Sequence, residues 1–135
     1  MRAIPLLAVL LAVAVTAPAW AGSPHFVGTP TVQRSSDDLT VSGKIAGLGN
    51  ETQVHVVATA EAECVNRGGH NPSADNKDTF SVEGDFPVQN GKALFNLTLE
   101  AAFDPSCSPP MTVLWSDVTV TDAEHGLTAT IAGPF

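Results

Sequence analysis

The feature that most constrains this chain is an alternation of apolar and polar residues along short segments that turn-forming residues separate. The alternation is clearest between residues 53 and 64, where the even positions hold valine, alanine and cysteine and the odd positions are polar except Val57. An apolar residue at every second position lies on one face of a β-strand, whereas a helix needs a period of about 3.6 residues. No segment after residue 21 keeps a helical stripe, so the pattern predicts an all-β fold in which Cys64 points into the core.

Seven segments carry strand signals: residues 31–34, 39–45, 54–64, 80–86, 93–99, 113–121 and 127–131. Asn90-Gly91 separates the fourth from the fifth, and because Asn-Gly favours a type I′ turn we expect these two strands to form an antiparallel hairpin. Seven short strands in about 110 residues indicate an immunoglobulin-like antiparallel β-sandwich, although a small barrel satisfies the same spacing. The alternation leaves the face of Trp115 open, since its phase differs from that of Val118 unless a bulge intervenes.

Residues 1–21 have the pattern of a signal peptide: an early cation at Arg2, an apolar run at 4–15 and the small-x-small ending Ala19-Trp20-Ala21. We therefore expect residues 22–135 to be a single secreted, extracellular domain, with no membrane span because the run is shorter than the ~20 residues a spanning helix needs. Without Arg2, 14 carboxylates stand against five cations, a net charge of −9. Nucleic acids and anionic membranes select basic surfaces, so this charge argues against both as partners.

Cys64 and Cys107 are the only cysteines, and export to an oxidising compartment favours their pairing. The bridge would close a loop with 42 residues between its ends. The chain-entropy description gives about 4 kcal/mol of stabilisation for such a loop. Because the cysteines do not form a Cys-x-x-Cys motif, we expect a structural and not a redox-active disulfide.

The polar segment 66–78 lies between two expected strands and is rich in turn-forming residues, which makes it the candidate binding loop. Asp75, Asn76 and Asp78 would offer Ca²⁺ hard oxygen ligands, but their spacing matches no calcium loop and two carboxylates are few. We therefore expect a disulfide-anchored loop without a metal, and no cofactor in the chain. The candidate binding residues are Arg67, His70, Asn71, Asp75, Asn76 and Asp78.

Catalytic motifs are missing from the sequence. The four histidines, at positions 25, 55, 70 and 125, have no zinc-type spacing, and we expect them at the surface. His125 lies in a turn beside Glu124, where a surface contact would respond to pH. Glu61 and Glu63 lie on one strand face, roughly 7 Å apart along the backbone, a pairing that suggests glycosidase chemistry. Alternating glutamates also keep an exposed sheet soluble, and without a Gly-x-Ser-x-Gly motif we predict no catalytic residue.

Five strings extend over essentially the whole of residues 22–135: HFVGTPTV, VSGKIAGLGN, ECVNRGGHNPSADNK, FPVQNGKALFNLTL and PSCSPPMTVLWSDVTVTD. With them the chain resembles a group of small secreted proteins of uncharacterised function, familiar chiefly from actinobacteria. The resemblance implies an exported, disulfide-containing β protein and brings no activity or functional residues with it. In architecture the chain is also similar to the neocarzinostatin-type apoproteins, which hold an apolar chromophore, but it has one cysteine pair where that family has two.

Three functions are compatible with these features. The first is non-enzymatic binding of an unknown extracellular protein or small molecule, or an interaction in the cell envelope, through the end of the sandwich that carries residues 66–78 and 103–110. The second is carriage of a small molecule in a cleft lined by Phe80, Phe86 and Phe95, although core packing explains these rings more simply. The third is hydrolysis by Glu61 and Glu63 or by His70, which no motif supports.

Overall fold

The structure is a computed structural model that describes residues 23–66 and 76–135. Within these ranges eight strands form two antiparallel sheets that pack face to face, so the predicted all-β antiparallel sandwich is confirmed. Each of the seven expected segments contains a strand, and the eighth, β1, is too short to show an alternation. The strands are β1 (His25–Phe26), β2 (Thr31–Ser35), β3 (Asp38–Ala46), β4 (Gln53–Val65), β5 (Lys77–Pro87), β6 (Ala93–Leu99), β7 (Thr112–Asp122) and β8 (Leu127–Ile131).

Sheet A is built around β3. β1 and β2 follow one another along one edge of β3, and β6 pairs with its other edge from Ala93 to Leu99. Between β1 and β2 the chain stays close to β3, because the backbone N–H of Val27 donates to the carbonyl of Lys44 at 2.8 Å. The inward positions of β3 and β6 supply sheet A's side of the core, and their outward positions are uncharged apart from the strand ends and Lys44.

Sheet B has the strand order β5-β4-β7-β8. The even positions of β4 are buried from Val54 to Cys64, as the alternation predicts, and Cys64 is 2% exposed. The odd positions of β4 point away from sheet A, and their neighbours on β5 include Glu83 and Asp85. Sheet B therefore presents an acidic outer face, in contrast to sheet A. Neither described range contains a helix that is long and apolar enough to span a membrane.

The predicted hairpin between the strands flanking Asn90-Gly91 is wrong. The turn itself forms, with φ of 54° at Asn90 and 74° at Gly91, and an isolated bridge joins Gln89 to Lys92. Beyond that bridge the strands separate: β5 pairs with β4 along its whole length, and β6 pairs with β3. The turn determines only the local reversal of the chain. Each strand forms a longer ladder with another partner, β5 with β4 in sheet B and β6 with β3 in sheet A. The chain therefore passes from one sheet to the other at this turn.

Trp115 is fully buried, and a β-bulge in β7 explains why the alternation alone could not place it. Ala60 pairs with Val118 but Ala62 pairs with Trp115, so β7 has one residue more than β4 over this stretch. The extra residue shifts the phase, and both Trp115 and Val118 point inward. The indole Nε1–H donates to the carbonyl of Asp37 at 2.8 Å, which satisfies the buried polar group of the ring.

Gly43 is required where Phe95 crosses the interior of sheet A. The two residues are cross-strand partners, and the ring of Phe95 covers the place where a side chain at position 43 would lie. A Cβ at position 43 would approach Cζ of Phe95 to 2.6 Å, far inside the normal contact distance. The glycine thus makes room for the largest side chain that β6 contributes to the core.

Candidate functional site

From β2 onward the loops alternate between the two ends of the sandwich, because successive strands run in opposite directions. Val65 at the end of β4 pairs with Thr112 at the start of β7, and Leu39 at the start of β3 pairs with Leu99 at the end of β6, so β2, β4 and β6 all finish at one end of the sandwich. We call it the disulfide end, since residues 100–111 there carry Cys107. The segments 47–52, 88–92 and 123–126 lie at the other end, which we call the histidine end because it carries His125.

The predicted disulfide between Cys64 and Cys107 is confirmed, with the two Cα atoms 5.7 Å apart. It joins the end of strand β4 to the segment between β6 and β7. A chain of edge-to-face ring contacts holds the same segment: the ring centroids of Phe103 and Phe80 lie 5.5 Å apart, and those of Phe80 and Trp115 lie 5.7 Å apart. The segment is therefore fixed to the core both covalently and by aromatic packing.

Two of the six candidate binding residues lie in the described part of the chain. Asn76 is half-buried immediately before β5, and Asp78 is exposed within β5, where its Oδ1 accepts the backbone N–H of Thr79 at 2.8 Å. The strand thus begins before the predicted loop ends. The remaining four, for which the binding role stays a prediction, lie outside the described residues: Arg67, His70, Asn71 and Asp75.

Glu61 and Glu63, the pair that suggested glycosidase chemistry, share one ammonium group. Nζ of Lys77 lies 3.1 Å from a carboxylate oxygen of each, and all three side chains are on the outer face of sheet B. The hydrogen bond to Glu63, followed by that to Glu61, raises the pKa of Lys77 above its ordinary value. The two carboxylates are thus bound to a cation across the strand pair and do not face a cleft as a free acid and base.

His55 on the same face lies between two carboxylates of β5. Its Nδ1 is 2.7 Å from Oδ1 of Asp85 and its Nε2 is 3.1 Å from Oε2 of Glu83. The hydrogen bond to Asp85 is the largest cause of the raised pKa of His55, and the bond to Glu83 adds to it. The exposed setting of His55 agrees with the expectation of a surface histidine.

The expectation of a surface position is wrong for His125, whose side chain is only 8% exposed. Its Nδ1 lies 2.6 Å from Oδ2 of Asp122, and its Nε2 lies 2.7 Å from Oε2 of Glu51. Its partners are therefore Asp122 and Glu51, and not the adjacent Glu124. We call these three residues the His125 cluster. The cluster ties the segment between β3 and β4 to the turn between β7 and β8.

Burial and hydrogen bonding act in opposite directions on the charge of His125. Burial by itself opposes protonation of the imidazole, but the hydrogen bonds to Glu51 and Asp122 outweigh it and the pKa of His125 is raised. Asp122 is 0% exposed, and its Oδ1 has no hydrogen-bond partner among the described residues. A buried carboxylate is costly unless it is paired, so the protonated imidazole is the main compensation for the charge of Asp122.

Neither His55 nor His125 is arranged to activate a nucleophile. Both ring nitrogens of each are engaged by carboxylates, and no histidine in the described ranges is hydrogen-bonded to a hydroxyl or thiol group. Those ranges also contain no group of three or more His, Cys, Asp or Glu side chains that could hold a metal ion. The geometry of these histidines is that of ionic ties between strands and loops.

The three phenylalanines that could have lined a cleft pack on the interior of the sandwich. Phe95 is 2% exposed and belongs to the core, and the ring of Phe86 meets it edge to face at a centroid distance of 6.3 Å. Phe80 is half-buried between Phe103 and Trp115. Their side chains are thus committed to packing between the sheets.

No protein-family model, no curated protein and no solved structure matches this chain. Function therefore has to be argued from the chemistry of the surfaces described above and from the sequence.

Proposed function

We propose that this chain is an exported, immunoglobulin-like β-sandwich that binds an extracellular partner and performs no catalysis. The signal-peptide pattern of residues 1–21 and the Cys64–Cys107 disulfide support export to an oxidising compartment. The resemblance to small secreted proteins supports the same assignment. The carboxylate partners of His55 and His125, and the ion pairs of Lys77 with Glu61 and Glu63, favour binding over hydrolysis.

The contact surface in this proposal is the disulfide end. The observation that carries it is the double attachment of residues 100–111, by the disulfide and by the ring of Phe103, beside the point where the chain leaves β4 at Asn66. Recognition residues are commonly found on loops that a rigid scaffold positions. Arg67, His70 and Asn71 follow Asn66 directly in the sequence and supply a cation, a titratable ring and an amide for such a contact.

The experiment that tests this placement is partner capture from the culture medium and cell envelope of the producing organism, quantified by mass spectrometry. The wild-type protein is compared with the triple variant Arg67→Ala/His70→Ala/Asn71→Ala. The matched control replaces three residues on the outer face of sheet B, Thr119, Thr128 and Thr130, by alanine. We expect the loop variant to lose the partner and the control to retain it.

Different failures of this experiment overturn different parts of the proposal. Equal capture by the wild type and the loop variant would show that the partner binds elsewhere on the domain. An absence of any partner in all three samples would contradict the binding function. Esterase or glycosidase activity of the purified wild type, lost in Glu61→Gln/Glu63→Gln, would contradict the non-enzymatic assignment. Recovery of a product that still carries residues 1–21 would contradict export by signal-peptide cleavage.

A further inference from the structure

The carboxylates of this acidic chain avoid one side of the molecule. Three segments, residues 23–36, 39–50 and 86–99, contain no Asp or Glu, although the chain has 14 such residues. These segments supply β1, β2, β6 and all but the first residue of β3, which together are sheet A. The outer face of sheet B carries Glu61, Glu63, Glu83 and Asp85 instead. The protein is therefore electrostatically two-sided, and anionic groups are repelled least at sheet A.

Two lysines of sheet A have no ion-pair partner in the described part of the chain. Arg34 pairs with Asp37, and Lys77 pairs with Glu61 and Glu63, whereas Lys44 and Lys92 form no ion pair within residues 23–66 and 76–135. Lys44 lies on β3, and Lys92 immediately precedes β6. Both side chains line one open hollow at the surface together with Leu94.

Large apolar side chains are exposed next to these lysines. Leu94 is 70% exposed and is the cross-strand partner of Lys44. Val27 is 48% exposed, and its backbone N–H is bonded to the carbonyl of Lys44. We call the surface formed by Val27, Lys44, Lys92 and Leu94 the lysine face. It combines two unpaired cations with apolar area, which suits a partner that is both anionic and apolar.

The backbone beside the lysine face is also open to pairing. β6 pairs with β3 along one edge, and no other strand of the described chain pairs with its second edge. Its seven residues include no charge and no proline. Exposed edge strands usually carry such blocking residues, as β5 does with Lys77, Asp78, Glu83, Asp85 and Pro87. The second edge of β6 therefore offers hydrogen-bonding groups without the charges or prolines that usually block strand addition.

We propose that sheet A binds an extended acidic peptide segment of another protein, which adds as a strand to the free edge of β6 and places its carboxylates against Lys44 and Lys92. An added strand would lie roughly 5 Å from β6 and about 10 Å from β3, within reach of a lysine side chain that extends across Leu94. Lys44, Lys92 and Leu94 share the outer face of sheet A, so the acidic residues at the outward positions of the segment complete the missing ion pairs and lie beside Leu94. This surface is distinct from the disulfide end, so the two proposals succeed or fail separately.

The test is a titration of the ¹⁵N-labelled protein with three peptides, followed by NMR. The first is acetyl-Thr-Glu-Val-Glu-Val-Glu-Thr-amide, the second has lysine in place of every glutamate, and the third has proline in place of the central glutamate. We expect the acidic peptide to shift the amide signals of Ala93–Leu99 and to protect from hydrogen exchange those N–H groups of β6 that face the free edge. The basic peptide and the proline peptide should leave those signals unchanged, because one has the wrong charge and the other cannot pair.

Matched variants distinguish the effect of losing the two lysines from the effect of changing the net charge. Lys44→Gln/Lys92→Gln and Thr128→Glu/Thr130→Glu change the net charge of the protein equally, but the threonines lie on β8 in sheet B. We expect the acidic peptide to bind about fivefold more weakly to the lysine variant and within about twofold of wild type to the threonine variant, since two exposed ion pairs contribute roughly 1 kcal/mol in total.

Three results would overturn the proposal. The first is no binding of the acidic peptide, and the second is equal weakening by the two variants. The third is concentration-dependent self-association of the protein alone in sedimentation, lost in Leu94→Glu, which would assign the edge to a second copy of the chain.

Discussion

Removing the imidazole of His125 should destabilise the domain strongly, because it leaves the buried carboxylate of Asp122 without its partner. Asp122 is 0% exposed, its Oδ2 is bonded to Nδ1 of His125, and its Oδ1 has no partner among the described residues. Loss of one partner from a buried ion pair costs about 3–5 kcal/mol. We expect His125→Ala to lie near 3 kcal/mol, since Glu51 at the other side of the ring is partly solvated. For a domain of this size that corresponds to a fall in Tm of roughly 10 °C.

The same cluster should make stability depend on pH. The protonated imidazole donates to both Glu51 and Asp122, whereas the neutral ring has one N–H and turns a lone pair towards one carboxylate. Because the folded pKa of His125 is raised above 6.5, its stabilisation is fully present below pH 6.5 and is lost as pH rises through the folded value. The wild type should therefore lose its advantage over Asp122→Asn/His125→Gln as the solution becomes alkaline.

Urea unfolding, followed by the fluorescence of buried Trp115, measures both effects at pH 5.5 and pH 8.5. His55 has a raised pKa as well, but it is present in wild type and in the double variant, so its titration cancels in the comparison. A free-energy gap that stays constant or grows from pH 5.5 to 8.5 would refute the role of the protonated ring. A loss below about 1 kcal/mol for His125→Ala would refute the buried-charge argument.

Three further changes test the packing and the covalent tie. Cys64→Ser/Cys107→Ser should lower the free energy of unfolding by about 4 kcal/mol, measured in urea, and a loss under about 1 kcal/mol would contradict the loop-entropy argument. Gly43→Ala should cost about 1–3 kcal/mol, because its methyl group meets the Phe95 ring. That cost should shrink in a Phe95→Leu background, and additive costs in a double-mutant cycle would contradict the clash. Trp115→Phe should cost about 2 kcal/mol by thermal unfolding, through the lost bond of the indole N–H, and a neutral result would contradict that bond.

The local features of the fold could be predicted from the sequence. The strands and the inward direction of Cys64 follow from alternation, which is a property of neighbouring residues. The type of turn at Asn90-Gly91 follows from the ability of Asn and Gly to adopt positive φ, which is also a local property. The pairing of β5 and β6 could not be predicted this way, because the choice of a ladder partner depends on strands that are distant in the sequence.

Features that depend on a strand irregularity, or on contacts between residues far apart in the chain, could not be predicted from the sequence. A one-residue bulge turns Trp115 to the inner face of sheet B, and no residue type in β7 indicates where the bulge lies. The His125 cluster joins positions 74 residues apart, so only the fold brings Glu51 to the ring. One signal was present: Asp122 continues the inward phase of Val118 and Val120, and a carboxylate in that position needs a cation. His125, three residues later, is the nearest group able to provide it.

The two ends of the sandwich are closed by bonds that respond to different conditions. At the disulfide end, the tie between Cys64 and Cys107 is covalent and does not titrate. At the histidine end, the tie depends on the proton of His125, so a rise in pH weakens the attachment of the segments 47–52 and 123–126 first. The attachment of residues 100–111 at the disulfide end is therefore independent of pH over the range in which the domain stays folded. This contrast makes the disulfide end, and not the histidine end, the better scaffold for the contact surface proposed above.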